Sequence, residues 1–192
     1  IPKKINSTFK NLSDWDKRYT KKTYSSNTPH FLSRHLYTVS MAEKYLNNNK
    51  RIADLGCGSG ILSLTALKLG AKSTFSVDTD SLSISATKIN SALNDVSENL
   101  LNVFLGSIEE IEANMPKEKI DLVLCNILAP VIKLLGPSFE KIIGHKGKVI
   151  LSGLLVQQIK ELQEFFFQLG WQVLEIKTKD QWALMVLTLN LS

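Results

Sequence analysis

Strand-like and helix-like segments alternate along the chain from Arg51 onward, and this alternation restricts the fold more than any other feature. Short apolar runs such as RIADLG and IDLVLC predict buried strands. Longer segments such as GILSLTALKLG, SLSISATKINSALN and QQIKELQEFFFQLG predict helices. Parallel strands joined by crossover helices account for such an order. The sequence therefore predicts an α/β fold, with a doubly wound, mostly parallel sheet covered by helices on both faces.

The remaining segments extend this pattern. STFSVDTD, LNVFLGS and GKVILSGL are predicted strands, and VIKLLGPSFEKIIG is a predicted helix that breaks at Gly136-Pro137. The last segment, WQVLEIKTKDQWALMVLTL, contains two predicted strands joined by KTKD. Because that connection is too short for a crossover helix, we expect the sheet to end in an antiparallel hairpin.

The first 30 residues differ in character from the rest. They are polar and basic, which predicts a loosely ordered arm over 1–30 followed by one domain over 31–192, with a helix near 31–45. Much of the excess behind the net charge of +5 lies in this arm, so contact with nucleic acid stays open. The chain begins with Ile1 rather than Met, which leaves open a preceding N-terminal domain.

Several classes of protein are disfavoured by what the sequence contains. Cys57 and Cys125 have no second cysteine or histidine at a ligand spacing, so we predict no metal site. No apolar run approaches the roughly 20 residues of a membrane span, and no signal-peptide pattern opens the chain. We therefore expect a soluble, cytoplasmic protein, and the sequence does not indicate its oligomeric state.

The segment DLGCGSG, from Asp54 to Gly60, follows the first predicted strand. Three glycines at alternate positions predict a sharp turn that lets a ligand approach the backbone, and Gly60 opens a helix with unpaired N–H groups. The dinucleotide fingerprint requires a further glycine where this chain has Ile61, which disfavours NAD. The alternative is a tight structural turn without a ligand.

Two acidic residues follow the second predicted strand. Asp78 stands where a carboxylate can accept hydrogen bonds from both hydroxyls of a ribose, a feature shared by NAD and S-adenosylmethionine sites. Asp78 therefore predicts a nucleoside without specifying which one. For both Asp78 and Asp80, the alternative role is to cap the next helix.

Asn126 follows the buried run LVLC at the end of the fourth predicted strand. An amide in such a place is unfavourable unless it forms hydrogen bonds. Its carbonyl oxygen can accept a hydrogen bond from a substrate N–H group without adding charge, which suits an amine nucleophile. Capping of the next helix is the alternative role.

Together these segments resemble a known family. DLGCGSGILSLTALKLGAKSTFSVDTD, NILAPVIKLL, GKVILSGLLVQQ and DQWALMVL, in this order, look like the catalytic domain of the ribosomal protein methyltransferases of the PrmA type. The resemblance runs from about Arg51 to the end. It implies a class I methyltransferase fold with a last strand inserted antiparallel, S-adenosylmethionine as cofactor, and N-methylation of a protein amino group.

The resemblance also implies roles for individual residues. Asn126 and the carbonyl of Ile127 would face the methyl group and aim the acceptor. The residues implied in cofactor binding are Asp54, Gly56, Cys57, Gly58, Gly60, Asp78, Thr79, Ser107 and Asn126. Ser107 departs from the family, which usually has Gly-Asp where this chain has Gly106-Ser107. A hydroxyl, or Glu109, would have to replace the carboxylate that holds the adenine amino group.

The region before Arg51 departs further. The Phe-Gly-Thr-Gly segment of the family is absent, although His30, Ser33 and Arg34 match the end of the family's cofactor-covering segment, and His30 is a candidate base. WDKRYTKKTYSSNTPHFL is instead similar to the opening of small stand-alone methyltransferases. The main hypothesis is a protein N-methyltransferase with a ribosomal or similar substrate. A small-molecule methyltransferase and a noncatalytic cofactor-binding or RNA-associated module are the alternatives.

Overall fold

A single seven-stranded sheet organises the part of the chain that the structure, a computed structural model, describes: residues 38, 42–46 and 50–190. The strand order is β3-β2-β1-β4-β5-β7-β6. The strands are β1 (Arg51–Leu55), β2 (Ser73–Asp78), β3 (Leu101–Leu105), β4 (Ile120–Cys125), β5 (Ile143–Leu155), β6 (Trp171–Lys179) and β7 (Trp182–Leu189).

Six α-helices connect these strands within residues 50–190. They are α1 (Ile61–Lys68), α2 (Ser81–Leu93), α3 (Ile108–Asn114), α4 (Ala129–Leu135), α5 (Phe139–Ile142) and α6 (Ile159–Gln168). A short 3₁₀ turn at Gly136–Ser138 separates α4 from α5, which confirms the predicted break at Gly136-Pro137. None of the helices in the described ranges is long and apolar enough to cross a membrane.

The pairing of the strands confirms the predicted fold class. β3, β2, β1, β4 and β5 pair in parallel, whereas β7 runs antiparallel between β5 and β6. One hydrophobic cluster packs α3 to α6 on one sheet face, and a second packs α1 and Ala42 on the other. Helices therefore cover both faces, as expected for a doubly wound sheet.

One local prediction was wrong, and one helix was missed. KTKD does not form the hairpin connection, because β6 continues through Lys179 and only Asp180 and Gln181 turn the chain into β7. Asp180 takes the left-handed conformation of such a tight turn, with a φ of 53°. Helix α3 was not predicted at all.

The predictions for the N-terminal region lie outside the described residues. This applies to the arm over 1–30, to most of the helix near 31–45, and to His30, Ser33 and Arg34. The division into an arm and one domain therefore stays a prediction.

Candidate functional site

Most of the site residues predicted from the sequence gather at one end of the sheet. The strand order reverses between β1 and β4, and the carboxyl ends of these two neighbouring strands carry the glycine corner and Asn126. β2, which carries Asp78, lies on the other side of β1. In open α/β sheets, ligands bind beyond the carboxyl ends of the strands at such a reversal.

The glycine corner is held against β2 by backbone hydrogen bonds. The N–H groups of Gly56 and Cys57 both donate to the carbonyl of Val77, each at 2.9 Å, and Gly60 N–H donates to the carbonyl of Cys57 at 2.7 Å. Gly56, Gly58 and Gly60 have φ values of 73°, 55° and 79°. Three left-handed residues in one turn explain why glycine occupies all three positions.

Two of these glycines also leave space for neighbouring side chains. A Cβ on Gly56 would overlap the Cγ2 methyl of Ile127, and a Cβ on Gly60 would lie 2.8 Å from Cγ2 of Thr87. Thr87 in turn donates from Oγ1 to the carbonyl of Gly58 at 3.0 Å. The corner is therefore packed between the loop after β4 and helix α2.

Asp78 is bound to the corner through its carboxylate. Oδ2 accepts from the N–H of Gly58 at 2.9 Å, and Oδ1 accepts from the N–H of Asp80 at 3.0 Å. Asp78 does not cap α2. That role belongs to Asp80, whose side chain accepts from Leu82 N–H at 2.9 Å, so the capping alternative is right for Asp80 and wrong for Asp78. Thr79, between them, is exposed.

Asp54 is completely buried beneath the corner. Its Oδ2 accepts from the N–H and the hydroxyl of Ser63, at 3.1 and 2.6 Å, and Ser63 Oγ lies 2.7 Å from Ser76 Oγ. Its Oδ1 has no hydrogen-bond partner among the described residues. Burial raises the pKa of Asp54 to about 6, against the opposing effect of the Ser63 hydrogen bonds.

The two cysteines are buried near this carboxylate. Burial raises the pKa of Cys57 to about 12, with a further contribution from the charge of Asp54. Burial also raises the pKa of Cys125, which receives a hydrogen bond from the N–H of Ile127. Both thiols are therefore protonated at neutral pH, which makes them poor nucleophiles and metal ligands.

Asn126 is half-buried just beyond β4. No hydrogen bond to its side-chain amide occurs among the residues that the structure describes. The N-cap of α4 is Leu128, without a side-chain cap, so the interpretation of Asn126 as a cap is wrong. The amide oxygen Oδ1 lies against Gly153, where an added Cβ would overlap it. Asn126 thus presents, at the strand reversal, a polar group that no hydrogen bond from the described residues occupies.

Ser107 lies farther along the same end of the sheet, after β3. It is the half-buried N-cap of α3 but forms no side-chain capping hydrogen bond. Gly106, before it, donates from N–H to the carbonyl of Asp78 at 2.9 Å, which brings this corner next to the second one. Glu109 is exposed in the first turn of α3. The adenine contacts of Ser107 and Glu109 stay predictions.

Sequence analysis did not identify three residues of this region. Ser63 binds Asp54 directly, and Ser76 contacts Ser63. Gly153 leaves space for the amide oxygen of Asn126. Serines inside a helix and a strand carry no recognisable signal here, because the carboxylate that they bind lies elsewhere in the sequence. Gly153 interrupts the predicted strand GKVILSGL, and a glycine inside a strand is a sign of a bulge or of a close approach.

This sheet order, with a seventh strand inserted antiparallel between β5 and β6 and a glycine corner after β1, defines the class I methyltransferase fold. No group of three or more His, Cys, Asp or Glu side chains that could hold a metal occurs in residues 38, 42–46 and 50–190.

The family is shown by comparison with known proteins. The family described as ribosomal protein L11 methyltransferase (PrmA) matches residues 36–190. The chain therefore belongs to this family.

Named relatives agree with this assignment. Ribosomal protein L11 methyltransferases from Prochlorococcus marinus and Parasynechococcus marenigrum are 43% and 46% identical over 141 and 134 residues. These matches cover 73% and 70% of this chain and 46% of each relative. The chain thus spans about half the length of the curated relatives that it matches.

Solved structures show the same fold. A ribosomal protein L11 methylase from Lactobacillus delbrueckii subsp. bulgaricus superposes with a TM-score of 0.70 at 26% identity, covering 80% of this chain and 77% of that one. A precorrin-6y C5,15-methyltransferase from Geobacter metallireducens has a TM-score of 0.64 at 14% identity, covering 80% and 85%. The second likeness concerns the fold alone.

Proposed function

We propose that this chain is an S-adenosylmethionine-dependent methyltransferase that methylates an amino group of a ribosomal protein, with L11 as the first candidate. Membership of the family supports the reaction and the substrate class. The observation that carries the proposal is Asn126, whose amide forms no hydrogen bond with the described residues and lies at the strand reversal, next to the loop that packs on the glycine corner.

The residues present suit S-adenosylmethionine. Asp54 Oδ1 is a buried carboxylate oxygen without a partner among the described residues, and such a group favours a nearby cation. S-adenosylmethionine carries positive charge on its sulfonium and ammonium groups. The glycines at 56, 58 and 60 would let the methionine part approach the backbone, and Asp78 would accept hydrogen bonds from the ribose hydroxyls.

When bound, the cofactor would supply an electrophilic methyl group, whose bond to the positively charged sulfur breaks as the lone pair of a deprotonated amine forms the new C–N bond and the sulfur leaves as a neutral thioether. The protein needs chiefly to align the amine and to exclude water. The amide oxygen of Asn126 and the carbonyl oxygen of Ile127 would accept hydrogen bonds from the amine and so direct its lone pair. Because both groups are neutral, they orient the amine without adding a charge that would favour its protonated form.

The cofactor is tested by calorimetric titration with S-adenosylmethionine, S-adenosylhomocysteine and NAD. We expect micromolar binding of the first two and none of NAD. Asp78→Ala should weaken binding by roughly tenfold or more, because it removes charge-assisted hydrogen bonds to the ribose. Asp80→Ala is the matched control, because it removes a carboxylate two residues away that caps α2. Equal effects of both substitutions would contradict the assigned role of Asp78.

The reaction is tested by transfer of labelled methyl groups to purified ribosomal protein L11. Asn126→Ala should reduce kcat by about 100-fold while cofactor binding persists, because alignment of the acceptor alone is lost. Retained transfer by Asn126→Ala would contradict the mechanism. Labelling of small amines but of no ribosomal protein would contradict the substrate class.

A further inference from the structure

Strand β5 contains an irregularity beside Asn126. Leu151 pairs with Met185 of β7, and Leu154 pairs with Ala183, so three steps along β5 match two steps along β7. One extra residue in one strand is a β-bulge. Because of it, Leu151 and Leu154 both enter the same hydrophobic cluster, which regular alternation would prevent.

The extra residue is accommodated at Ser152 and Gly153. Gly153 has a φ of 71°, in the left-handed region that favours glycine. Asn126 Oδ1 occupies the space in which a Cβ of residue 153 would lie. Across the sheet, Cys125 of β4 pairs with Leu151, so the bulge begins opposite the point where Asn126 leaves β4.

The bulge therefore limits where the amide of Asn126 can lie. The side chain of Asn126 has no hydrogen bond among the described residues, and its oxygen lies against Gly153. Ser152 Oγ, in the same bulge, is also buried without a partner in this part of the chain. Bulges commonly redirect a side chain beside an active site.

We propose that Gly153 is a positioning residue, which sets the place of the Asn126 amide oxygen and thereby the direction of the acceptor amine. This inference rests on the proposed function. A side chain at residue 153 displaces the amide oxygen, whereas the glycine corner and Asp78 belong to β1 and β2, on the far side of β4. We therefore expect the effect to fall mainly on transfer of the methyl group rather than on cofactor binding.

The test compares Gly153→Ala with Gly170→Ala. Gly170 has a similar φ, 80°, but no atom lies within 4 Å of the position of its added Cβ. Both variants share the backbone strain, and only Gly153→Ala adds the overlap with Asn126. Gly153→Ala should lower kcat for L11 by roughly 10–100-fold, with the Kd for S-adenosylmethionine and the KM for L11 within about twofold of wild type. Gly170→Ala should leave all three values within about twofold.

A double-mutant cycle with Asn126→Ala identifies the contact. In that background the overlap is gone, so Gly153→Ala should destabilise the protein less than it does alone and should reduce kcat no further. If Gly153→Ala alone does not fold, the double variant should fold and be inactive. A double variant that also fails to fold would overturn the inference, because backbone strain would then govern residue 153.

The outcomes separate this inference from the proposed function. A wild-type chain that transfers no methyl group overturns both. If the wild type is active and the Gly153→Ala variant has the same kcat as the Gly170→Ala variant, the inference alone is overturned.

Discussion

At the scale of single residues, Asp54 places an ionisable carboxyl group where water cannot solvate its charge. It is fully buried, and burial raises its pKa to about 6, with the charge of Asp78 adding a smaller increase. A bound cation would stabilise the ionised form of Asp54. Affinity for S-adenosylmethionine should therefore depend on the ionisation of this one carboxyl group.

We predict that this affinity falls by about tenfold between pH 7.5 and pH 5, because Asp54 is protonated below a pKa of about 6. The measurement is a series of calorimetric titrations over this range. In Asp54→Asn the affinity should be lower at pH 7.5, and its dependence on pH should disappear. An unchanged pH dependence in Asp54→Asn would show that another group is responsible.

The stability of the ligand-free protein should change with pH in the opposite sense. The pKa of Asp54 is raised above the unfolded value of about 3.9, so between about pH 4 and pH 6 the native state binds more protons than the unfolded state. The contribution of Asp54 to the free energy of unfolding therefore falls as pH rises through this window and is constant above it. Asp54 thus reduces stability at the pH at which it would bind the cofactor best.

Single residues also show which features of the site could be predicted from the sequence. The positions of Asp54, Asp78 and Asn126 at the ends of strands followed from the order of the elements, and the structure brings them to one end of the sheet. The contact between Asn126 and Gly153 could not be predicted, because it depends on the register of β5 against β4 and β7. Register across a bulge is set by tertiary packing, which a single sequence does not display.

At the scale of elements, α6 shows that helical period predicts burial well. Three consecutive phenylalanines cannot all face the core of a helix. Phe166 is completely buried, with its ring centroid 5.9 Å from that of Phe139 and 6.4 Å from that of Trp171, whereas Phe167 is 75% exposed. Phe167 therefore leaves the core face, as the helical period requires.

We predict that Phe166→Ala lowers the free energy of unfolding by about 3–5 kcal/mol, because it leaves a cavity between α6, α5 and β6. Phe167→Ala, one residue away, is the matched control and should change it by less than about 0.5 kcal/mol. Urea unfolding followed by circular dichroism measures both values. Similar losses in the two variants would mean that α6 is rotated relative to the arrangement described above.

Helix α3 shows the limit of the same reasoning. It has seven residues, IEEIEAN, of which only Ile108 and Ile111 are buried. Two apolar residues do not establish a period, and three glutamates among seven residues suggest a solvated loop. The helix forms because these two isoleucines pack into the large cluster under the sheet.

At the scale of the whole molecule, the fold class could be predicted because the other crossovers follow from the alternation of strands and helices, although the helix between β3 and β4 was missed. The excess of positive charge, in contrast, lies in residues 1–49, before the first strand of the sheet. The net charge of the chain therefore carries no information about the site at the carboxyl ends of β1, β2 and β4.

The position of each strand in the sheet predicts how readily its backbone opens. β4 lies between β1 and β5 and is almost completely buried. Among the described strands, β3 forms one edge, pairs with β2 alone and is largely half-exposed. We predict that amide hydrogens of β4 exchange with solvent only through global unfolding, whereas those of β3 exchange at least about tenfold faster through local opening. Hydrogen exchange followed by mass spectrometry measures both segments in one experiment. S-adenosylhomocysteine should slow exchange in the glycine corner and in β4, because a ligand that binds only the native state raises the free energy of global unfolding. Local opening of β3 should be slowed much less. Equal protection of β3 and β4 without ligand would mean that the sheet opens as one cooperative unit, and would contradict the prediction.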